Sequence, residues 1–283
     1  MDLCDWKDIQ SLLARHGFHF AKSLGQNFLI RGDVAEAIAD AGCIPGCGVL
    51  EVGPGIGALT VQLARRAEKV VSVELDKRLP PVLAETMAGY GNSTLIEGDV
   101  MKLPLAAVAA EQFQGLEPVL CANLPYNITT PFLTECVRAG CFRQLTVLIQ
   151  KEVAQRICAR PGTGEYGAFT VLMQYYTEPE LLFEVPNTCF MPPPKVTSAV
   201  VRCVTRRETP VQVVSEESFW RTVRAGFALR RKTLVNSLQT GWQLPKERLA
   251  GIVESCGLPP TVRGEALGLE EYARLADALA AAE

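Results

Sequence analysis

The stretch GVLEVGPGIG, residues 48–57, determines the fold class that the sequence predicts. Its first half, Gly48–Val52, is a short apolar run typical of a buried strand, and its second half is a glycine-rich loop. A helical pattern follows from about residue 58 to residue 66. This order brings backbone N–H groups and a helix N-terminus close to a negatively charged ligand group. The stretch therefore predicts a nucleotide-type cofactor site in an α/β fold.

Further apolar runs repeat this pattern along the chain. Strands that alternate with helices imply right-handed crossovers and a doubly wound, mostly parallel, Rossmann-like sheet. Two later runs, at residues 181–185 and 199–204, have no full helix between them, which predicts a terminal hairpin with an antiparallel strand. The predicted strands of the parallel part are 48–52, 70–74, 94–97, 118–122 and 145–149.

The last quarter of the chain has only helical periodicity. It begins after a plausible linker at residues 206–209. We predict two domains, residues 1–206 with the sheet and residues 207–283 as a small all-helical domain. Within the first, residues 1–30 are expected to supply an N-terminal helix and a loop that covers the cofactor.

Composition restricts the classes of protein and of site. The chain is 48% apolar and 21% charged, as is typical of globular proteins, and its net charge of −3 gives no global attraction for polyanions. The ten cysteines form no Cys-x-x-Cys pair and there are only two histidines, so we expect no metal site. We find no signal peptide, transit segment or membrane span, and expect a cytoplasmic protein without a membrane partner.

The glycine loop by itself leaves the cofactor open. The pattern Gly53-x-Gly55-x-x-Ala58 fits the loose dinucleotide fingerprint, and Glu74 ends the next strand at a suitable distance for a ribose hydroxyl. NAD, FAD and S-adenosylmethionine all fit this arrangement. The alternative without a ligand is that the glycines serve only a tight turn.

The fourth strand ends in Asn123-Leu124-Pro125-Tyr126, which suits the binding of a flat ring that carries an amine. An amide oxygen accepts one N–H, Pro125 offers a carbonyl without a competing N–H, and Tyr126 offers a face for stacking. The same four residues are also compatible with an ordinary asparagine cap and turn.

Two further observations favour S-adenosylmethionine over a hydride carrier. Asp99 ends the third strand, where a carboxylate can accept from the exocyclic amine of a bound adenine. Hydride transfer usually needs an acid or base near the substrate carbonyl, yet His16 and His19 both precede the first strand of the predicted sheet.

Several blocks of sequence carry a resemblance to one family. From about residue 18 to residue 240, the chain closely resembles the ribosomal small-subunit RNA adenine N6-dimethyltransferases. The blocks, in chain order, are KSLGQNFL (22–29), EVGPGIGALT (51–60), ELD (74–76), GD (98–99), NLPYNI (123–128), FMPPPKVTSAV (190–200) and FALRRKTL (227–234).

This resemblance implies a reaction, a donor and a partner. The reaction is transfer of two methyl groups from S-adenosylmethionine to N6 of each of two adjacent adenines in the 3′-terminal hairpin loop of small-subunit (16S-type) rRNA. The partner is the immature small subunit late in its assembly, and the enzyme is expected to be a monomer. Residues 1–206 then form the methyltransferase domain and residues 207–283 the RNA-binding domain. One departure is Thr197, where the family usually has Asp.

The resemblance also implies site residues by position. Those for the cofactor are Asn27, Leu29, Gly53, Glu74, Asp99 and Asn123, to which we add the neighbouring Gly55, Leu75 and Val100. Those for the target adenine are Asn123, Pro125, Tyr126 and Phe190. We expect Asn123 and the Pro125 carbonyl to accept the two amine protons, and Tyr126 and Phe190 to stack on the base.

A cluster of cations without acidic neighbours predicts the RNA contact. It comprises Arg221, Arg224, Arg230, Arg231 and Lys232, and Arg138, Arg143, Lys151 and Arg156 are weaker candidates. If residues 219–238 formed one helix, Arg230 would fall on its apolar face. Either the helix breaks near residues 226–229 or Arg230 has an internal partner.

Three alternative functions share parts of this pattern. A large-subunit rRNA adenine methylase has the same cofactor blocks, but the Asn-Leu-Pro-Tyr-Asn form and the 227–234 block favour the small-subunit type. A non-catalytic RNA-binding factor on the same scaffold would be expected to lose the amine-binding residues, which are intact here. A DNA adenine methylase would be expected to carry a DNA-recognition domain.

Overall fold

The computed structural model describes residues 2–20 and 26–283. The chain separates into two compact units, Met1–Ala154 with Glu178–Thr205, and Gln155–Thr177 with Arg206–Glu283. The second unit thus contains a segment ahead of the last long strands in addition to the predicted helical domain. Among the described residues, no helix is both long and apolar enough to span a membrane.

The strands and helices follow one another along the chain. The strands are β1 (Phe28–Leu29), β2 (Cys47–Val52), β3 (Lys69–Glu74), β4 (Ser93–Glu97), β5 (Glu117–Asn123), β6 (Gln144–Gln150), β7 (Thr177–Val185), β8 (Phe190–Met191) and β9 (Ser198–Thr205). The helices are α1 (Trp6–Arg15), α2 (Gly32–Gly42), α3 (Ala58–Ala64), α4 (Pro80–Thr86), α5 (Leu105–Gln112), α6 (Thr129–Ala139), α7 (Lys151–Ile157), α8 (Ala168–Tyr176), α9 (Glu216–Ala228), α10 (Leu234–Leu238), α11 (Lys246–Ser255) and α12 (Leu269–Ala280).

A seven-stranded sheet in the order β4-β3-β2-β5-β6-β9-β7 forms the centre of the first unit. Neighbouring strands from β4 to β6 are parallel, whereas β9 is antiparallel to β6, with Leu145 opposite Cys203. This confirms the predicted mostly parallel Rossmann-like sheet with an antiparallel terminal part. The strand predicted at 181–185 is longer and begins at Thr177.

The central strands are apolar because helices cover both faces of a parallel sheet. All six residues of β2 are buried, and Val49 of β2 packs in one core cluster with Val119 of β5 and Leu148 of β6. This buried sheet gives the carboxyl ends of β2 to β5 a fixed position, and the polar residues of the site lie there.

The second unit is helical and has its own core, in which Phe219, Leu238, Trp242 and Tyr272 are almost completely buried. The segment 219–238 is two helices rather than one, since α9 ends at Ala228 and α10 begins at Leu234. The break removes Arg230 from the apolar face, and Arg230 also donates to the Gly164 carbonyl, so both alternatives drawn from the sequence are realised.

Candidate active site

A cavity lies at the carboxyl edge of the sheet in the first unit. It is a cleft that opens to solvent, with about 1090 Å³ of space within and in front of it. The ends of β2, β3 and β5 converge there, because the carboxyl ends of parallel strands meet at one edge. All nine predicted cofactor residues line this cavity: Asn27, Leu29, Gly53, Gly55, Glu74, Leu75, Asp99, Val100 and Asn123.

The glycine loop forms one wall of the cavity. Gly53 and Gly55 have φ angles of 66° and 59°, in the left-handed region that favours glycine. A Cβ added at Gly55 would lie 2.9 Å from Cδ1 of Phe28. The loop therefore needs glycine at position 55 both for its backbone conformation and for its contact with the Phe28 ring.

Glu74 ends β3, and Asp99 lies two residues after the end of the neighbouring β4. The backbone N–H of Asp76 donates to Oε1 of Glu74 over 2.8 Å, and that of Met101 donates to Oδ1 of Asp99 over 3.0 Å. Burial raises the pKa of Glu74, while the N–H groups of Asp76 and Gly55 oppose this shift. Both carboxyl groups are thus held in place by backbone donors at the cavity.

Glu51 is a cavity residue that the sequence analysis missed. It lies near the carboxyl end of β2, only 1% exposed, and accepts a hydrogen bond from Oγ of Ser72 over 2.7 Å. Burial raises the pKa of Glu51 to about 7. An ionisable residue within an otherwise apolar strand was the signal that could have identified it.

The Asn123 amide has a defined orientation. Its Nδ2 donates to the backbone oxygen of Asn27 over 3.1 Å, and a carbonyl can accept only from the NH₂ end of the amide. The hydrogen bond from Leu124 N–H to Leu148 O, 3.1 Å, continues the pairing of β5 with β6 into the turn. The Asn123 side-chain oxygen thus remains an acceptor at the cavity wall.

The backbone carbonyls of the turn differ in their partners. The Pro125 oxygen accepts from Ile128 N–H and from Oγ1 of Thr129, both over 3.2 Å. The Leu124 oxygen forms no hydrogen bond with residues 2–20 or 26–283. Since a carbonyl oxygen has two lone pairs, the Leu124 carbonyl is the better second acceptor beside Asn123.

Comparisons with known proteins agree with this geometry. The model of the family described as ribosomal RNA adenine dimethylase matches residues 17–280. The chain belongs to this family. The ribosomal RNA small subunit methyltransferase A of Geobacillus thermodenitrificans (strain NG80-2) is 48% identical over 278 residues, which cover 95% of this chain and 94% of the relative. The protein of the same name from Bacillus cereus (strain AH187) is 47% identical over 276 residues, with coverage of 95% and 94%.

Two solved structures have the same fold. The 23S rRNA methyltransferase ErmE is 28% identical, with a TM-score of 0.68 over 90% of this chain and 100% of the other. A dimethyladenosine transferase from Plasmodium falciparum has a TM-score of 0.71 at 24% identity, over 87% and 94% of the two chains, which shows the fold alone. The family match and the two curated relatives confirm the predicted enzyme class, an rRNA adenine dimethylase.

The two predicted stacking residues of this dimethylase have different environments. Tyr126 lines the cavity, and its hydroxyl is 2.7 Å from Oγ of Ser198. Phe190 is only 1% exposed, lies opposite Leu29 in the pairing of β8 with β1, and belongs to the hydrophobic core. As placed, the Phe190 ring is covered by core residues and is not among the residues that line the cavity, so its stacking on a base stays a prediction.

The predicted RNA-contacting cations of the dimethylase also differ in their exposure and in their partners. Arg221 donates to both carboxylate oxygens of Glu283, at 2.8 and 3.0 Å, and its Nε donates to Gly241 O over 2.6 Å. Its guanidinium lies 4.0 Å from the Trp242 ring centroid, so Arg221 has a structural role. Arg230 donates to Gly164 O over 2.7 Å. The exposed members are Arg224, Arg230, Arg231 and Lys232.

Two of the weaker RNA candidates also have structural partners. Arg143 donates to the Thr205 carbonyl over 3.0 Å, and Lys151 pairs with Glu184 over 2.7 Å. Residues 22–25, part of the predicted cofactor-covering loop, lie outside the described residues. Within the described part of the chain, no group of three or more His, Cys, Asp or Glu side chains could hold a metal ion.

Proposed function

We propose that this dimethylase transfers two methyl groups to N6 of each of two adjacent adenines in the 3′-terminal hairpin loop of small-subunit rRNA. The identity of 48% to a small subunit methyltransferase, against 28% to a 23S rRNA methyltransferase, supports the small-subunit substrate. The enzyme acts late in small-subunit assembly, in the cytoplasm, as a monomer.

The orientation of the Asn123 amide carries this proposal. Its NH₂ group is already engaged by Asn27, so the oxygen is the atom available to an exocyclic amine. The same cavity contains carboxylates and a glycine loop suited to an adenosine-bearing donor. A substrate amine and a cofactor can therefore meet in one cavity.

S-adenosylmethionine fits the residues of the cavity as the donor, and it supplies an electrophilic sulfonium methyl group. Glu74 offers carboxylate oxygens to ribose hydroxyls, and Asp99 accepts from the adenine amine. The N–H groups after Gly53 and the N-terminus of α3 favour the carboxylate of the methionine part. The product is S-adenosylhomocysteine, and no metal ion takes part.

In the proposed mechanism, two fixed acceptors activate the target amine. The Asn123 side-chain oxygen and the Leu124 carbonyl accept hydrogen bonds from its two N–H groups, in place of the pair with Pro125 that the sequence suggested. The adenine nitrogen loses conjugation with the ring, and its lone pair becomes available to form the new bond to the methyl carbon as the sulfur–methyl bond breaks. No strong base is needed, because the attacked nitrogen becomes acidic as it gains charge and loses its proton to solvent, while positioning and preorganised acceptors provide the catalysis.

Tyr126 is proposed to bind the base after it has left its stack in the RNA. One face of its ring offers stacking worth roughly 1–3 kcal/mol. Phosphate contacts are assigned to the exposed cations of the second unit, Arg224, Arg230, Arg231 and Lys232, with Arg221 holding the local structure. The partner is the immature small subunit rather than free RNA.

The decisive experiment is incubation of the enzyme with labelled S-adenosylmethionine and unmethylated small subunits, followed by mapping of the modified nucleosides. We expect dimethyladenosine at two adjacent positions near the 3′ end of the small-subunit rRNA. Methylation of large-subunit RNA alone would overturn the proposed substrate.

Replacement of Asn123 tests the mechanism. Asn123→Ala should abolish methylation while cofactor binding, measured by calorimetry, is only weakened. Asn92→Ala is the matched control, because Asn92 also donates Nδ2 to backbone carbonyls, those of Ala64 and Ala67, but does not line the cavity. Near-normal turnover of Asn123→Ala would exclude the proposed role of its amide.

A further inference from the structure

The hydroxyl of Tyr126 has a partner that is distant in sequence. Its oxygen lies 2.7 Å from Oγ of Ser198, the first residue of β9, and Ser198 is fully buried. Tyr126 is partly buried and lines the cavity. The contact therefore connects Tyr126, at the proposed substrate position, to a buried residue of the central sheet.

Both ends of this contact are fixed by the backbone. Ser198 pairs with Gln150 of β6, and the preceding Thr197 carbonyl accepts from Lys151 N–H over 3.0 Å. On the other side, the hydrogen bond from Ile128 N–H to Pro125 O closes the turn that carries Tyr126. The aromatic ring is thus held at its backbone and at its hydroxyl.

We infer that Ser198 is a positioning residue, which holds the Tyr126 ring at the angle at which it stacks on the target adenine. The inference rests on the proposed function, since it assumes that a base enters beside Tyr126. A ring held only by its backbone would turn about its side-chain bonds. The stacked adenine would then move with it, and its exocyclic amine would lose the hydrogen bond to the Asn123 oxygen. Burial raises the pKa of Tyr126, so the phenol stays protonated and either hydroxyl can donate to the other.

The test compares wild-type enzyme with Ser198→Ala, Tyr126→Phe and the double variant in single-turnover methylation of small subunits. Each single variant should lower the rate constant roughly ten- to a hundredfold, as expected for a misplaced substrate. The double variant should be no slower than the slower single variant, because both changes remove one contact. The dissociation constant of S-adenosylmethionine should stay within about twofold, since neither hydroxyl belongs to the proposed cofactor contacts.

Thr146→Val is the matched control. It removes another fully buried hydroxyl of the same unit, one that accepts from Gln144 over 3.1 Å on β6. This variant should lower the melting temperature without changing the rate constant of the folded enzyme. Wild-type rates in Ser198→Ala, or losses that multiply in the double variant, would overturn the inference.

A second measurement does not depend on activity. In the wild type, three-bond NMR couplings of labelled tyrosine should show a single rotamer about the Cα–Cβ bond of Tyr126, and Ser198→Ala should average these couplings. If wild-type enzyme fails to methylate small subunits, the proposed function fails, and the couplings still decide whether Ser198 holds the ring. Equal couplings in the two proteins would refute the positioning role.

Discussion

Glu51→Gln should make the stability of this enzyme less dependent on pH. Glu51 is buried in β2 and its pKa is raised from the ordinary 4.5 to about 7, because burial disfavours the charged carboxylate. Glutamine keeps the shape of the side chain and an oxygen that accepts from Ser72. It resembles the protonated acid that the fold prefers, but it cannot ionise.

The sign of the effect follows from proton linkage. Since the folded protein binds the Glu51 proton more tightly than the unfolded chain, this group favours folding fully below pH 4.5. That contribution is lost as the pH rises through about 7. The difference between the two pKa values corresponds to about 3 kcal/mol, of which about 2.5 kcal/mol falls between pH 5 and pH 8.

Urea unfolding of wild type and Glu51→Gln at pH 5 and pH 8 measures this loss. Hydrogen exchange of the β2 and β3 amides assigns the change to the first unit. We expect similar free energies of unfolding at pH 5 and a more stable glutamine variant at pH 8. Glu117→Gln, at an exposed position at the start of the neighbouring β5, controls for the substitution itself. The reasoning is refuted if the difference between wild type and Glu51→Gln is the same at both pH values.

Two further predictions concern the glycine loop and the cations of α9. Gly55→Ala should raise the dissociation constant of S-adenosylmethionine more than tenfold, which is roughly 1.4 kcal/mol or more of binding free energy, as measured by calorimetry. The substitution would strain the backbone and place a Cβ 2.9 Å from the Phe28 ring. Gly46→Ala, also at positive φ (71°) but in open space, should leave binding unchanged, and tight binding by Gly55→Ala would contradict the expected clash. Arg224→Ala should lower the slope of the logarithm of the RNA-binding constant against the logarithm of salt concentration (the salt slope) by about 1. Arg221→Ala should instead lower the free energy of unfolding of the second unit by about 1–2 kcal/mol. If Arg221→Ala lowered the salt slope and left the free energy of unfolding unchanged, Arg221 would be an RNA contact and its structural role would be refuted.

The sequence by itself determined the elements that depend on local pattern. The apolar run and glycine loop of residues 48–57 specify a strand, a tight turn and a helix through near-neighbour chemistry. The Asn-Leu-Pro-Tyr turn after β5 likewise follows from its own residues. Because parallel strands place their carboxyl ends at one edge, Glu74, Asp99 and Asn123 could be predicted to lie near the glycine loop. Asn27 and Leu29 were expected at the cofactor only from the family resemblance.

The tertiary structure alone decided how these residues are used, since each decision depends on a contact between distant parts of the chain. Asn123 is oriented by the backbone of Asn27, and Glu51 acquires its raised pKa from burial and a hydrogen bond to Ser72. Phe190 is drawn into the core by the pairing of β8 with β1, and Arg221 is held by Glu283. Sequence periodicity reports which face of an element is apolar, but it carries no information about which distant group completes a hydrogen bond or covers a ring.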